Sequence, residues 1–356
     1  MSKKGGKKAT AGGGELSRFL QPHLQTITDT LQMMSEAAPG GLERTEWSEV
    51  VALGDVVSRQ ATVAGMVWSG DLPGVETLKE NIAAYFNVLQ GFLLACHGST
   101  VGAGPTLHKY ITSSAKGVVD ASFSLFKLAL SAYVTGTVWE ACLALKKVPA
   151  TNCIAIGRAM TQICVCLKDI LREMKELPVG DSDDTKAGKS SNGDAAMSFS
   201  DKDESFSDLE EDEGFTEEEI AVAKLIIAVT ADSLDAVKET IRFITSLLKS
   251  SGNQSGAAED KVESMENLLS HCRDVADQVN ELGASVYAQD PSEMKSAIKR
   301  LYVGITGMCQ EIAGLGGSPK NAYAAFSGFE KSLKALEEEI GEDVVDEMKN
   351  LTISPS

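Results

Sequence analysis

Apolar residues recur along this chain at alternating steps of three and four, the spacing that lines one face of an α-helix. Trp47, Val50, Gly54, Val57, Ala61, Ala64 and Trp68 keep the rhythm unbroken. So do Val75 to Cys96, Leu107 to Ala132 and Cys153 to Leu177, each at the same spacing. Weaker segments over about 15–38 and 137–148 complete the first half. In the second half four long seams follow one another: Ile220 to Leu248, Val262 to Val286, Met294 to Leu315 and Phe326 to Met348. No stretch alternates apolar and polar as a strand would. The pattern predicts an all-α protein of long antiparallel helices in two packed helical-bundle halves, the C-terminal half a four-helix up-down bundle. Val222, Ile226 and Val229 form a second apolar stripe on the helix that starts near 216, which places that helix centrally.

The helix ends have their own signals. Asp290-Pro291-Ser292-Glu293 offers an N-cap, a proline at the first helical position and a capping-box glutamate. Thr216 with Glu219 is a second box, and the acids at 217–219 suit the positive end of the helix dipole. The glycine- and proline-bearing stretches 70–73, 98–105 and 314–319 read as interhelical turns.

One stretch breaks the rhythm: "SFSDKDESFSDLEEDEGFTEEEI", Ser198 to Ile220. Between Asp181 and Glu219 there are fifteen acids and three lysines, so −12 of the chain's net −18 lies there. So little apolar content cannot offset the entropy of ordering. The expected division is therefore a disordered basic N-terminus at 1–14, a helical bundle at 15–177, a disordered acidic linker at 178–214 and the four-helix bundle at 215–350. The net charge argues against nucleic acid or an anionic membrane as the main partner. The opening "MSKKGGKKATAGGG" has no apolar core after it, and no uninterrupted run reaches a membrane span. The seven cysteines fall inside helical patterns without a C-x-x-C spacing, as reduced, buried thiols would. A soluble chain of cytoplasm and nucleus is expected.

Signals for chemistry are sparse. No G-x-S-x-G, phosphate-loop or H-E-x-x-H motif occurs. "GSTVGAGP" (98–105) has glycines but follows a helix rather than a strand, and reads as a flexible interhelical loop. His271-Cys272 and Cys164-Val165-Cys166 point their ligands apart on a helix. Glu338 with Glu342 lacks the E-x-x-H partner of a di-iron bundle site. No catalytic, cofactor-binding or metal-binding residue is assigned, and no cofactor is expected. Ser200, Ser205 and Ser207 each have an acid three residues on, the pattern of acidophilic casein-kinase-type phosphorylation.

The helical wording itself is informative. "TLHKYITSSAKGVVDASFSLFKLAL", "GTVWEACLALKKVPATNCIAI" and the acidic strip running into "EEEIAVAKLIIAVTADSLDAVKETI" resemble the cyclin-D-binding (GCIP) family. Val138, Trp139, Glu140, Ala141 and Cys142 carry the most specific part of the likeness. The resemblance spans about 45–350, and the linker wording is plant-like. It implies a non-enzymatic regulator that binds D-type cyclins or helix-loop-helix transcription factors and dampens cell-cycle progression or transcription. No basic cluster precedes a helix, so direct nucleic-acid contact is not expected. Helical bundles of this proportion also resemble cytoskeletal adaptors of the vinculin and catenin kind, the alternative reading.

Overall fold

A computed structural model of the chain describes residues 6–36, 38, 41–68, 74–127, 132–176, 216–250, 261–288 and 290–350. Among these residues the secondary structure is all-α, with ten α-helices, one 3₁₀ turn and no strand. The helices are α1 (Gly6–Met33), α2 (Trp47–Trp68), α3 (Val75–Ser99), α4 (Pro105–Lys127), α5 (Ala132–Ala144) and α6 (Asn152–Lys175). They continue as α7 (Glu217–Ser250), α8 (Val262–Ala288), α9 (Pro291–Leu315) and α10 (Lys320–Asn350). The 3₁₀ turn, Leu145–Lys147, prolongs α5. Helix α1 starts at Gly6, and residues 1–5 of the expected disordered N-terminus lie outside the described residues. Once downstream turns are fixed, each further residue of a helix gains a hydrogen bond without a new nucleation cost.

The chain forms two compact units that cut across the division expected from the acidic stretch. One contains Met1–Thr161 and Leu247–Leu269, the other Gln162–Ser246 and Ser270–Ser356. Thus α6 gives Ala155, Ile156 and Met160 to the first core and Ile163, Leu167, Ile170 and Met174 to the second. In the same way α8 divides between Leu269 and Ser270. A three-four rhythm reports that a face is buried, not what buries it.

In the first unit α3 packs on α1 and α2, and α5 packs on α2 and α4. The core holds Tyr85 and Phe86 of α3 against Phe126 of α4, with ring centroids 4.9 and 5.2 Å apart. The Tyr85 hydroxyl is buried but donates to Ser122 Oγ at 2.8 Å, so its desolvation is compensated. Trp68 ends α2 edge-on to Phe126 and donates its indole N–H to Asn81. By length and mean hydropathy (1.2) alone, α2 is long and apolar enough to cross a membrane, although no uninterrupted apolar run in it is. Its Ser58, Arg59 and Gln60 interrupt a run of apolar residues without lowering the average enough to matter. Here it packs Val50, Gly54, Val57, Ala61 and Ala64 into the core.

The second unit holds most of the four long helices α7 to α10. A fifth segment, the C-terminal part of α6, joins α7 to α10. Thr230 of α7 lies 3.7 Å from Met174 Sδ, and a Cβ built on Gly283 of α8 would lie 3.5 Å from the same sulfur. The second stripe of α7 is used, since Ile226 and Val229 are fully buried. The capping boxes form as expected. Thr216 and Glu219 exchange bonds at 2.7 and 3.2 Å, and Asp290 accepts from Ser292 and Glu293 N–H. Between α8 and α9 the backbones come close. A Cβ on Gly304 would lie 2.7 Å from Val275, and one on Gly307 would collide with the His271 ring.

Candidate interaction surface

The segment Val138–Cys142 lies on α5, and the helix splits it by direction. Val138 and Cys142, one turn apart, are buried against the core. Trp139 and Leu143, also one turn apart, are 42% and 56% exposed. Glu140 is exposed and Ala141 half-buried. The Cys142 thiol is pushed up to about 11, chiefly by burial and then by the Asp55 charge, against a smaller opposing pull from the Ser58 backbone. It stays a protonated packing group at neutral pH.

Small residues on α2 let α5 approach. A Cβ on Gly54 would run into Leu145, and one on Gly65 would lie 2.8 Å from Thr135 Oγ1. Two polar ties fix the antiparallel register. The Trp139 indole N–H donates to Thr62 Oγ1 at 3.1 Å, and Lys146 Nζ pairs with Asp55 at 3.4 Å. Trp139 is therefore pinned by its edge while its ring remains exposed. On the α2 side Arg59 is exposed, as are Val63 (45%) and Met66 (71%). Beyond α5, Arg158 donates to the Lys147 carbonyl at 2.6 Å and sets its guanidinium over the Tyr110 ring. The result is an apolar face of two helices with a basic end. Exposed large apolar residues elsewhere in the described chain, such as Val303 and Tyr323, lie on other helices.

The glycine-rich loop is not the flexible connection its composition suggests. Helix α3 runs on to Ser99, and Gly98 abuts Thr45, whose N–H donates to the Gly98 carbonyl at 3.2 Å. Asn152 accepts from Gly104 N–H at 2.7 Å and donates to the Gly102 carbonyl at 3.0 Å. Glu266 of α8 then caps α4, accepting from Thr106 N–H at 3.0 Å and from its hydroxyl at 2.6 Å. Gly104, at the N-cap position, has no side chain to cap that helix, and a carboxylate 160 residues away supplies one. No spacing in the sequence marks Glu266. Beside this clamp lies a cleft of about 650 Å³, with Trp47, Leu107 and Ile111 among its walls and Cys153 at its side.

The remaining candidates separate. Ser200, Ser205 and Ser207 lie outside the described residues. His271 serves packing against Gly307, and its neighbour Cys272 is fully buried with its thiol pushed up by desolvation. Among the described residues no three His, Cys, Asp or Glu side chains are grouped to hold a metal ion.

An all-α chain that presents a pinned indole and aliphatic side chains on one helix pair has the features of a helical interaction protein. Family models place it further. The model described as Grap2 and cyclin-D-interacting, N-terminal, matches residues 49–180, and the C-terminal model matches 199–310. The chain belongs to the Grap2 and cyclin-D-interacting family, as the resemblance of its helical segments implied. No curated protein matches it.

Proposed function

We propose that this protein is a non-enzymatic regulator that binds D-type cyclins or helix-loop-helix transcription factors and so dampens cell-cycle progression or transcription, in cytoplasm and nucleus. The family match across both halves, whose description names cyclin D, is the observation that carries this reading. The exposed Trp139, Leu143, Val63 and Met66 support it, because apolar side chains held at a surface are what a protein partner would cover. Phosphorylation of Ser200, Ser205 and Ser207 would add roughly −1.5 to −2 charge each and tune the encounter through charge.

The test is calorimetric titration of the full-length chain with a purified D-type cyclin, with an A-type cyclin as control. Saturable binding to the first in the micromolar range or tighter, and none to the second, is expected. No heat with any D-type cyclin would remove the cyclin reading. Changing the three serines to Ala should leave the melting temperature unaltered, while kinase treatment of the wild type should shift the affinity at low salt.

A further inference from the structure

We propose that the α2–α5 face docks an amphipathic helix of a partner protein whose apolar stripe is flanked by acidic residues. This deepens the reading of the chain as an interaction protein and does not depend on the cyclin being the partner. The face is made of two antiparallel helices held side by side, and the shallow groove between such helices accepts the ridge of a third. Its register is fixed by Trp139–Thr62 at one end and Lys146–Asp55 at the other. Between those ties along the chain lie Leu143 on α5 and Arg59 on α2. Val63 and Met66 extend the exposed apolar surface along α2. Trp139 is the anchor expected of a binding hot spot: a large ring, already oriented, with its one donor satisfied.

Charge selects the occupant. The exposed basic groups around the face are Arg59, Lys146, Lys147 and Arg158, and the acids are Asp55 and Glu140. Asp55 is paired with Lys146, so the local balance is basic on a chain of net charge −18. A second copy of the chain docking through the same face would bring two faces of the same basic balance together. An anionic membrane would have to hold a strongly negative protein at its surface. An acidic amphipathic helix is small enough to meet only the local basic groups, which act within a Debye length of about 8–10 Å of the face, whereas a membrane meets a much wider stretch of the negative surface.

The probe is a synthetic 18-residue helix with leucines at steps of three and four and glutamates on the flanking positions. Its twin carries lysines in place of glutamates. Fluorescence anisotropy with the full-length chain at low salt should show the glutamate helix binding about ten-fold or more tighter than its twin. The gap should shrink in added salt. Trp139→Ala and Leu143→Ala should each weaken the glutamate helix about ten-fold. Leu143 is exposed, so circular dichroism and melting of Leu143→Ala should match the wild type, while Trp139→Ala, which also loses the bond to Thr62, should keep the helical circular-dichroism signal. The double variant Arg59→Glu with Lys147→Glu should reverse the preference between the twins, an outcome that partial unfolding could not produce.

Equal affinity for the twins, or indifference to Trp139→Ala and to the charge reversal, would overturn the proposal. So would sedimentation of the chain with phosphatidylserine-containing vesicles that is lost in Trp139→Ala. It would also fall if the probe bound only after the acids between 201 and 213 were changed to Asn and Gln. The face would then belong to the chain's own acidic stretch. Because no cyclin is present in the assay, its result stands apart from that of the cyclin titration.

Discussion

At the scale of single residues, the fold depends on places where a hydrogen atom is all that fits. Gly307 lies under the His271 imidazole, and a methyl group there would displace the ring. Gly307→Ala should destabilise the protein by about 1–3 kcal/mol in chemical denaturation, the usual cost of overpacking. In a His271→Ala background the same change should cost far less, because the colliding ring is gone. Buried acids of high pKa make a second residue-scale prediction. Cys96, Cys272 and Tyr85 are all shifted up by desolvation, so the folded state keeps their protons where the unfolded chain releases them. Their contribution is complete below the ordinary thiol and phenol values, and stability should fall as pH rises through about 9 to 10 and beyond. Each group that ionises only on unfolding costs about 1.4 kcal/mol per pH unit in that window. Melting temperatures across pH 8 to 11 check this, and Cys96→Ala with Cys272→Ala should flatten the early part of the decline.

At the scale of elements, caps and seams carry the prediction. Helix α4 begins on a proline and takes its cap from Glu266, far away in the chain. Glu266→Ala should cost about 1–2 kcal/mol, in the range of a lost N-cap with a charge-assisted bond. Thr106→Val should add little to it, since both changes break the same contact. Denaturant midpoints of the single and double variants decide the point. Ile305 is fully buried in α9 and Leu234 nearly so in α7. Replacing either with Asp places a lone carboxylate in an apolar core, at a cost of several kcal/mol. The second unit should then lose its cooperative transition, and a variant that melted like the wild type would contradict the burial.

At the scale of the whole molecule, each compact unit draws on both sides of the acidic stretch. The first takes Leu247–Leu269 from beyond it, and the second takes Gln162 onward from before it. A protease site placed within 180–212 and cut to completion should therefore give two fragments that co-elute in size-exclusion chromatography. Fragments joined only by a tether would separate at once. Each fragment expressed alone should bind a hydrophobic dye, because it exposes apolar surface that its complement covers.

The sequence by itself determined the helices, most of their faces and the caps at Thr216 and Asp290, because these depend on residues within one or two turns of each other. The family resemblance was legible too, in the wording of the helical segments. Only the tertiary structure decided which helix each face meets. The seams of α6 and α8 look uniform along their length, yet each serves two cores, and a period of 3.6 carries no label for its partner. The clamp on the glycine-rich loop was invisible for the same reason: Asn152 and Glu266 are ordinary polar residues until folding brings them to Gly104 and Thr106. The exposure of Trp139 was likewise hidden. A tryptophan in an apolar helical pattern reads as core, yet here it stands 42% exposed with its indole N–H on Thr62 of the neighbouring helix.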